Sequence, residues 1–224
     1  MYRILKRVFD ILLACIVLSF VFILFIICII ILLFSGEHYI WYVQDRIGYK
    51  NKHFNIIKFA TMLHNSPNMG NGSLTTRNDP RVLPFGKFLR ITKINELPQI
   101  FNVLNGTMSF VGPRPQMEVD FYRYPKNVQE KIYDSIPGIT GIGSIIFRDE
   151  ELYLSKPNCD VAKFYIEKIA PYKGELELWY LENKNLIVDF KIIILTAWMV
   201  IYPKSKLPYA LFNTLPVKPQ WMEE

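Results

Sequence analysis

From Ile11 to Phe34 the chain runs through 24 consecutive residues of which only Ser19 is not apolar and none is charged. A helix on the surface of a soluble protein needs a polar face, so this run argues against a fully soluble fold. Rising about 1.5 Å per residue, it would form a helix about 36 Å long, against a hydrocarbon layer of about 30 Å. A cleaved secretory leader has a shorter apolar region and then small residues; here the run ends Leu33-Phe34-Ser35-Gly36-Glu37 and reads as retained. Arg3, Lys6 and Arg7 precede it, and the positive-inside tendency places residues 1 to 10 in the cytoplasm. If the helix spans, the remainder lies outside; if it dips in and returns, everything stays inside.

The 224 residues leave room for one ordinary domain behind this segment. Cys15 and Cys28 lie inside the apolar run and only Cys159 outside it, which makes no disulfide framework and suits a reducing compartment. His38, His53 and His64 have no partner at zinc-ligand spacing. The triplets Asn71-Gly72-Ser73 and Asn105-Gly106-Thr107 read as chance matches to a glycosylation pattern.

Tyr39 to Val43 and Phe54 to Phe59 predict two strands of a hairpin around Gly48-Tyr49-Lys50-Asn51. Residues 64 to 80, rich in Asn, Gly, Ser, Thr and Pro, predict a long loop. Helices are expected over 86–93 and 95–104, the second with Leu97, Ile100, Phe101 and Leu104 on one face and Gly106 as its stop. Pro137 to Gly143 is turn-rich, and residues 159 to 201 read as mostly helical. Their last stretch, Ile192 to Ile201, is too short to span; with Trp179, Trp198 and Tyr202 it suits either the lipid interface or an ordinary core. Residues 203 to 224, with four prolines, read as a tail.

The chemistry concentrates between Arg77 and Arg114, where Arg77, Arg81, Lys87, Arg90, Lys93 and Arg114 face only Asp79 and Glu96. Beside a membrane segment such a basic surface attracts anionic headgroups. Two local features are sharper. Asn95-Glu96-Leu97-Pro98 looks like a capped helix start, and exposed N–H groups at such an end also bind anions. In Gly112-Pro113-Arg114-Pro115 two prolines hold one guanidinium, which suits phosphate binding, and the bare glycine permits close approach of a ligand. Gly141-Ile142-Gly143 lacks the third glycine and the strand–helix setting of a dinucleotide fingerprint. Arg148-Asp149-Glu150-Glu151 suits Mg²⁺ or a solvated acidic turn. No element resembles a nucleic-acid reader.

Read together, Lys6-Arg7-Val8-Phe9-Asp10, Phe54 to Met62, Asn78-Asp79-Pro80-Arg81, Phe85 to Arg90, Glu96-Leu97-Pro98-Gln99, Asn102-Val103-Leu104, Met108 to Pro115, Pro137 to Gly141 and Asp189 to Thr196 resemble the bacterial sugar transferase family, in particular its small monotopic polyprenyl-phosphate phosphoglycosyl transferases. The resemblance implies transfer of a phospho-sugar from a UDP-sugar to polyprenyl phosphate, with release of UMP and help from Mg²⁺. It implies a re-entrant apolar helix, a catalytic part on the cytoplasmic face of the bacterial inner membrane, and contact with membrane lipids; a homodimer is compatible with it. Onto this chain it carries Glu96 as the catalytic acid, Arg90, Arg114, Arg148 and Lys58 as phosphate-binding groups, and Glu96 with Glu177 as metal ligands. The chain departs from the family in three places. The nucleophilic Asp falls at Asn95, whose amide caps a helix well but carries no charge and is a poor nucleophile. No proline precedes Pro67, so the Ser-Pro pair that breaks the re-entrant helix is missing, and a basic residue of the Phe54 to Met62 block is Ala60.

The expectation is therefore an α+β, mainly helical protein: a membrane-embedded helix over 1–36, a catalytic domain over 37–202 with a small β-hairpin and a compact set of amphipathic and interfacial helices, and a tail over 203–224. With Asn95 in place of the acid, either Glu96 attacks phosphorus or the polyprenyl phosphate attacks directly. The alternative from another class is a catalytically inactive member that serves as a membrane-bound binding or assembly partner.

Overall fold

The computed structural model describes residues 2–69, 75, 78–155 and 160–222. Parts of the 64–80 loop, with Arg77 and the Asn71 triplet, and Cys159 lie outside the described residues. The chain is mainly helical with two small two-stranded sheets.

The apolar run forms α1 (Tyr2–Phe34), helical without interruption through 33 residues and so about 50 Å long. By length and composition it is able to cross a membrane. Lys6, Asp10, Ala14, Phe25, Cys28 and Leu32 are its buried residues, separated by multiples of about one helical turn, so they form a single stripe. That stripe lies against the rest of the protein along its whole length. At the start, Tyr2 and Lys6 bond to Asp189 and the Asp10 carboxylate accepts the Phe110 N–H. Farther on, the Phe25 ring meets Trp41, Phe59 and Phe101, and Cys28 and Leu32 share a cluster with Leu89. The opposite face, with Ile4, Leu12, Phe20, Ile23 and Phe34, is exposed. Lys6 pairs with Asp189, and Arg7 donates to the carbonyls of Val103 and Leu104, so two of the three N-terminal charges have partners within the protein.

The hairpin is present as β1 (Trp41–Ile47) and β2 (His53–Phe59), antiparallel from Trp41↔Phe59 to Ile47↔His53. Its first strand runs on through Ile47 because alternation puts Tyr42, Gln44 and Arg46 on the inward side. Next come α2 (Pro84–Ile91), a 3-10 turn over Ile94–Glu96, and α3 (Gln99–Asn105), which stops at Gly106 in the left-handed region (φ +88°). Asn102 bridges α3 to the open edge of β2, accepting from the Ile57 N–H at 3.1 Å and donating to the Asn55 carbonyl at 2.7 Å.

Asn95 is not the cap the sequence suggests. Lys93 turns left-handed (φ 60°), so the helical path begins one residue before Asn95, whose side chain caps nothing and is buried. The N-cap position of α3 falls to Pro98.

β3 (Ser109–Val111) pairs in parallel with β4 (Gly138–Thr140) across α4 (Glu118–Phe121) and α5 (Lys126–Lys131). At Gly112 the close approach is to backbone and not to a ligand: a Cβ would stand 2.3 Å from the Ile136 carbonyl oxygen. Then follow α6 (Ile142–Ile146), α7 (Glu150–Leu154), α8 (Val161–Phe164), a π-helical turn, α9 (Ala170–Asn183), α10 (Leu186–Ile201) and α11 (Leu207–Leu211). The Asn185 side chain caps α10 through the N–H groups of Ile187 and Val188. At 16 residues, about 24 Å, α10 does not reach across a hydrocarbon layer. It joins both expected characters, burying Ile192, Leu195 and Met199 while exposing Ile187, Phe190, Ile194 and Ile201. Residues 203–222 pack on the main core instead of trailing: Trp221 meets Phe147, Tyr153 and Phe164, Phe212 meets Trp179, and the Tyr172 hydroxyl bonds to the Pro216 carbonyl.

Candidate functional site: a basic cleft around Glu96

Lys58, Arg90, Asn95, Glu96, Arg114 and Arg148 line one cleft of about 1970 Å³. Each arrives by its own element. Lys58 sits opposite Tyr42 in the hairpin, on the face that also carries Arg46. Arg90 ends α2, Asn95 and Glu96 occupy the 3-10 turn, Arg114 stands in the proline-bounded segment after β3, and Arg148 follows α6.

Glu96 is the centre. Its Oε1 accepts from Arg114 Nη2 at 3.0 Å and faces Lys58 Nζ at 3.6 Å. Burial by itself would raise its carboxyl pKa, but the charges of Arg114, Lys58 and Lys93 outweigh that and hold it well below the usual carboxylate range. Lys58 is moved the other way: burial, with Arg114, Arg46 and Arg90 nearby, brings its ammonium down to about 7 despite Glu96. Burial likewise lowers Lys93. Arg114 is raised, chiefly by Glu96, and its carbonyl is held by the Tyr133 hydroxyl at 3.0 Å. Arg90 pairs with Glu151 at 2.8 Å. Two buried polar atoms in this group have no partner, Asn95 Oδ1 and Arg148 Nη1.

The unsatisfied Arg148 donor and the surplus positive charge make this a place for an anion with several oxygens, and the Asn95 Oδ1 is left free to accept from a donor group. Arg46 and Lys93 also belong to the cleft; Lys93 stood in the basic cluster read from the sequence without a role of its own, and Arg46 was not picked out. The signal for Arg46 was the two-residue alternation of β1, which sets it beside Gln44, whose Oε1 accepts from the Arg46 Nε at 3.1 Å. Arg46 also donates to the Pro115 carbonyl at 3.3 Å, joining the hairpin to the Arg114 segment.

Glu177 is the expected site residue that the structure keeps apart. It is fully buried and lines no part of the cleft; its Oε1 accepts from the Arg114 N–H at 3.4 Å, and its Oε2 has no partner. Burial pushes its carboxyl up to about 7. A Cβ at Gly143 would stand 2.4 Å from Glu177 Oε1, so the carboxyl is sealed against backbone. Glu96 and Glu177 thus do not form a paired metal site, and no cluster of three or more His, Cys, Asp or Glu suited to a metal occurs among the described residues. Glu96 alone fits the way Mg²⁺ is commonly held, by one or two carboxylates with substrate phosphates.

Residues 1–203 match the bacterial sugar transferase family. The chain belongs to that family. It is similar to an uncharacterized sugar transferase of Haemophilus influenzae, 34% identical over 89% of this chain and 41% of that protein. It is 33% identical to the uncharacterized sugar transferase EpsL of Bacillus subtilis, with 88% of each chain covered. A UDP-glucose:undecaprenyl-phosphate glucose-1-phosphate transferase of Xanthomonas campestris pv. campestris is 34% identical over 74% of this chain and 32% of its own. The chain therefore spans about two fifths of the Haemophilus relative and most of the Bacillus one. Three of the blocks on which the sequence resemblance rested supply cleft residues: Phe54 to Met62 brings Lys58, Phe85 to Arg90 brings Arg90, and Met108 to Pro115 brings Arg114.

Proposed function

We propose that this chain transfers a phospho-sugar from a UDP-sugar to polyprenyl phosphate, giving a polyprenyl diphosphate-sugar and UMP. The observation that carries the reading is the cation-rich cleft around Glu96, whose carboxyl is held well below the usual range, with an unpartnered Arg148 nitrogen inside it, beside a helix of membrane length. Relatives whose names state this reaction support it. Phosphoryl transfer asks chiefly for positioning and charge neutralisation, and Arg90, Arg114, Arg148 and Lys58 supply both. Mg²⁺ held by Glu96 and the donor phosphates would neutralise further charge.

Of the two routes, direct attack is the reading we adopt, on chemical grounds. Glu96 is stabilised as an anion by three cations, which makes it a weak nucleophile, and Asn95 has no carboxylate to offer. In the direct route a phosphate oxygen of the acceptor bonds to the sugar-bearing phosphorus. The bond from that phosphorus to the bridging oxygen breaks, and its electron pair leaves with UMP. Glu96 holds Arg114 and Lys58 in place while this happens.

The membrane reading extends to topology. Both ends of α1 touch the same domain, through Asp189 at the start and through Leu89 and Phe59 near the end. A helix spanning upright could not keep both contacts with a domain confined to one side, which supports a non-spanning α1 with its exposed face to lipid, here without the mid-helix break of a re-entrant segment. Nucleotide sugars are cytoplasmic, which favours that face of the inner membrane for the domain. Cysteines at Arg3 and Asn68 should label from the same side; labelling from opposite sides would overturn this topology.

Purified protein incubated with Mg²⁺, polyprenyl phosphate and a panel of UDP-sugars should release UMP with at least one donor, and Glu96→Gln should abolish that release. Without acceptor the wild type should release none, whereas Asn95→Asp should release up to one UMP per enzyme. Absence of turnover with every donor would favour the inactive, partner-binding reading that Asn95 motivates.

A further inference from the structure

Beside the Glu96–Arg114 pair lies a second cavity, of about 190 Å³, that shares Lys93, Glu96, Arg114, Ser144 and Arg148 with the cleft and is otherwise apolar except for Thr140 and Thr196. Its walls include Val17 of α1, Ile100 of α3, Phe110 of β3, Ile145 of α6, and Met199 and Val200 of α10. The hydroxyls that reach it, Thr140 and Thr196, bond to each other at 2.7 Å, so the wall offers little to a polar ligand. Its polar end is different. Ser144 Oγ and Arg148 Nη1 are both buried there without a partner, and a buried unpartnered donor carries its full desolvation cost until a ligand answers it. The two helices that contribute Val17 and Val200 are the ones whose outer faces are exposed and apolar.

We propose that this cavity receives the head of the prenyl phosphate acceptor, its phosphate at Arg148, Lys93 and Ser144 and its first isoprene carbons between Val17, Ile100, Ile145 and Met199. The inference rests on the transferase reading and adds where the acceptor binds. The donor enters from the wide polar cleft and the acceptor from the apolar side, and the reacting phosphates meet at the residues common to both. The cavity is smaller than a typical ligand pocket of about 300–1,000 Å³. It takes only the head of the lipid, and the rest of the chain runs out past Val17 and Val200 along the exposed faces of α1 and α10. The spacing of anion and apolar chain selects the occupant: a prenyl phosphate carries its phosphate directly on an apolar chain, whereas a phospholipid phosphate is set apart from its acyl chains by glycerol.

The test uses the full chain in detergent with farnesyl phosphate, farnesol, a short-chain phosphatidate and UDP as calorimetric probes. Val17→Trp, which fills the cavity, and Val200→Trp, at its half-exposed mouth, should each weaken farnesyl phosphate about tenfold or more and leave UDP affinity unchanged. Unchanged UDP binding shows that the variants are folded. Farnesyl phosphate binding equally to wild type and both variants would overturn the proposal, as would farnesol or phosphatidate binding as tightly as farnesyl phosphate. Failure of UDP to bind the wild type, with farnesyl phosphate still lost in the variants, would sink the donor reading and leave this cavity as a prenyl phosphate site.

Discussion

Asp189 is 1% exposed and accepts three hydrogen bonds, from Tyr2 Oη at 2.8 Å, Lys6 Nζ at 2.7 Å and Tyr180 Oη at 2.7 Å. Two of those donors sit on the first two turns of α1, so this carboxylate fastens the membrane helix to the domain. Asp189→Ala leaves the Lys6 ammonium, itself 8% exposed, without its bonded ion-pair partner, with Asp10 the remaining carboxylate near it. Removing one partner of a buried ion pair costs about 3–5 kcal/mol, because the surviving charge stays desolvated. For a chain of this size each kcal/mol shifts the melting temperature by about 2–4 °C, so the loss should be roughly 6–20 °C. Thermal unfolding in nanodiscs followed by tryptophan fluorescence measures it, and hydrogen exchange should rise first in the opening turns of α1. Lys6→Met combined with Asp189→Leu removes both charges together and should recover most of the stability, since apolar replacement of a buried pair is often close to neutral. Single variants within about 1 kcal/mol of wild type, or a double variant as unstable as the two singles summed, would refute the reasoning.

Two further expectations concern protons in and under the cleft. The Lys58 ammonium, brought down to about 7, is charged below that pH and neutral above it, so UDP affinity should fall as pH rises through neutrality. Lys58→Arg keeps its charge and should flatten the profile; a wild-type profile already flat between about pH 6 and 9 would contradict the assignment. For Glu177 the folded carboxyl is raised to about 7 from an unfolded 4.5, so the folded state binds its proton more tightly and loses stability as pH climbs between those values. Glu177→Gln should therefore raise the melting temperature at pH 8, by the equivalent of at most about 3 kcal/mol, and make no difference below about pH 4; an equal effect at both would refute it.

Much of this was legible in the chain because its causes are local. An uninterrupted apolar run dictates α1, alternating residues dictate the hairpin, and a glycine able to adopt φ +88° ends α3. The family resemblance singled out Lys58, Arg90, Glu96, Arg114 and Arg148, and the structure brings these five to one cleft. What became of each charge was settled by packing. Lys6 and Arg7 read as a membrane-side marker, and their partners, Asp189 and the end of α3, lie 183 and about a hundred residues away. Asn95 read as a cap, but the left-handed turn at Lys93 starts the helical path earlier and buries the amide. Glu177 read as a ligand, but α9 and Gly143 close over it. Arg46 gave no local sign of joining Glu96. Periodicity and sterics act within a few residues and are written in order along the chain. The partner of a buried charge is fixed by desolvation once distant segments meet, and only the tertiary structure decides which segments those are.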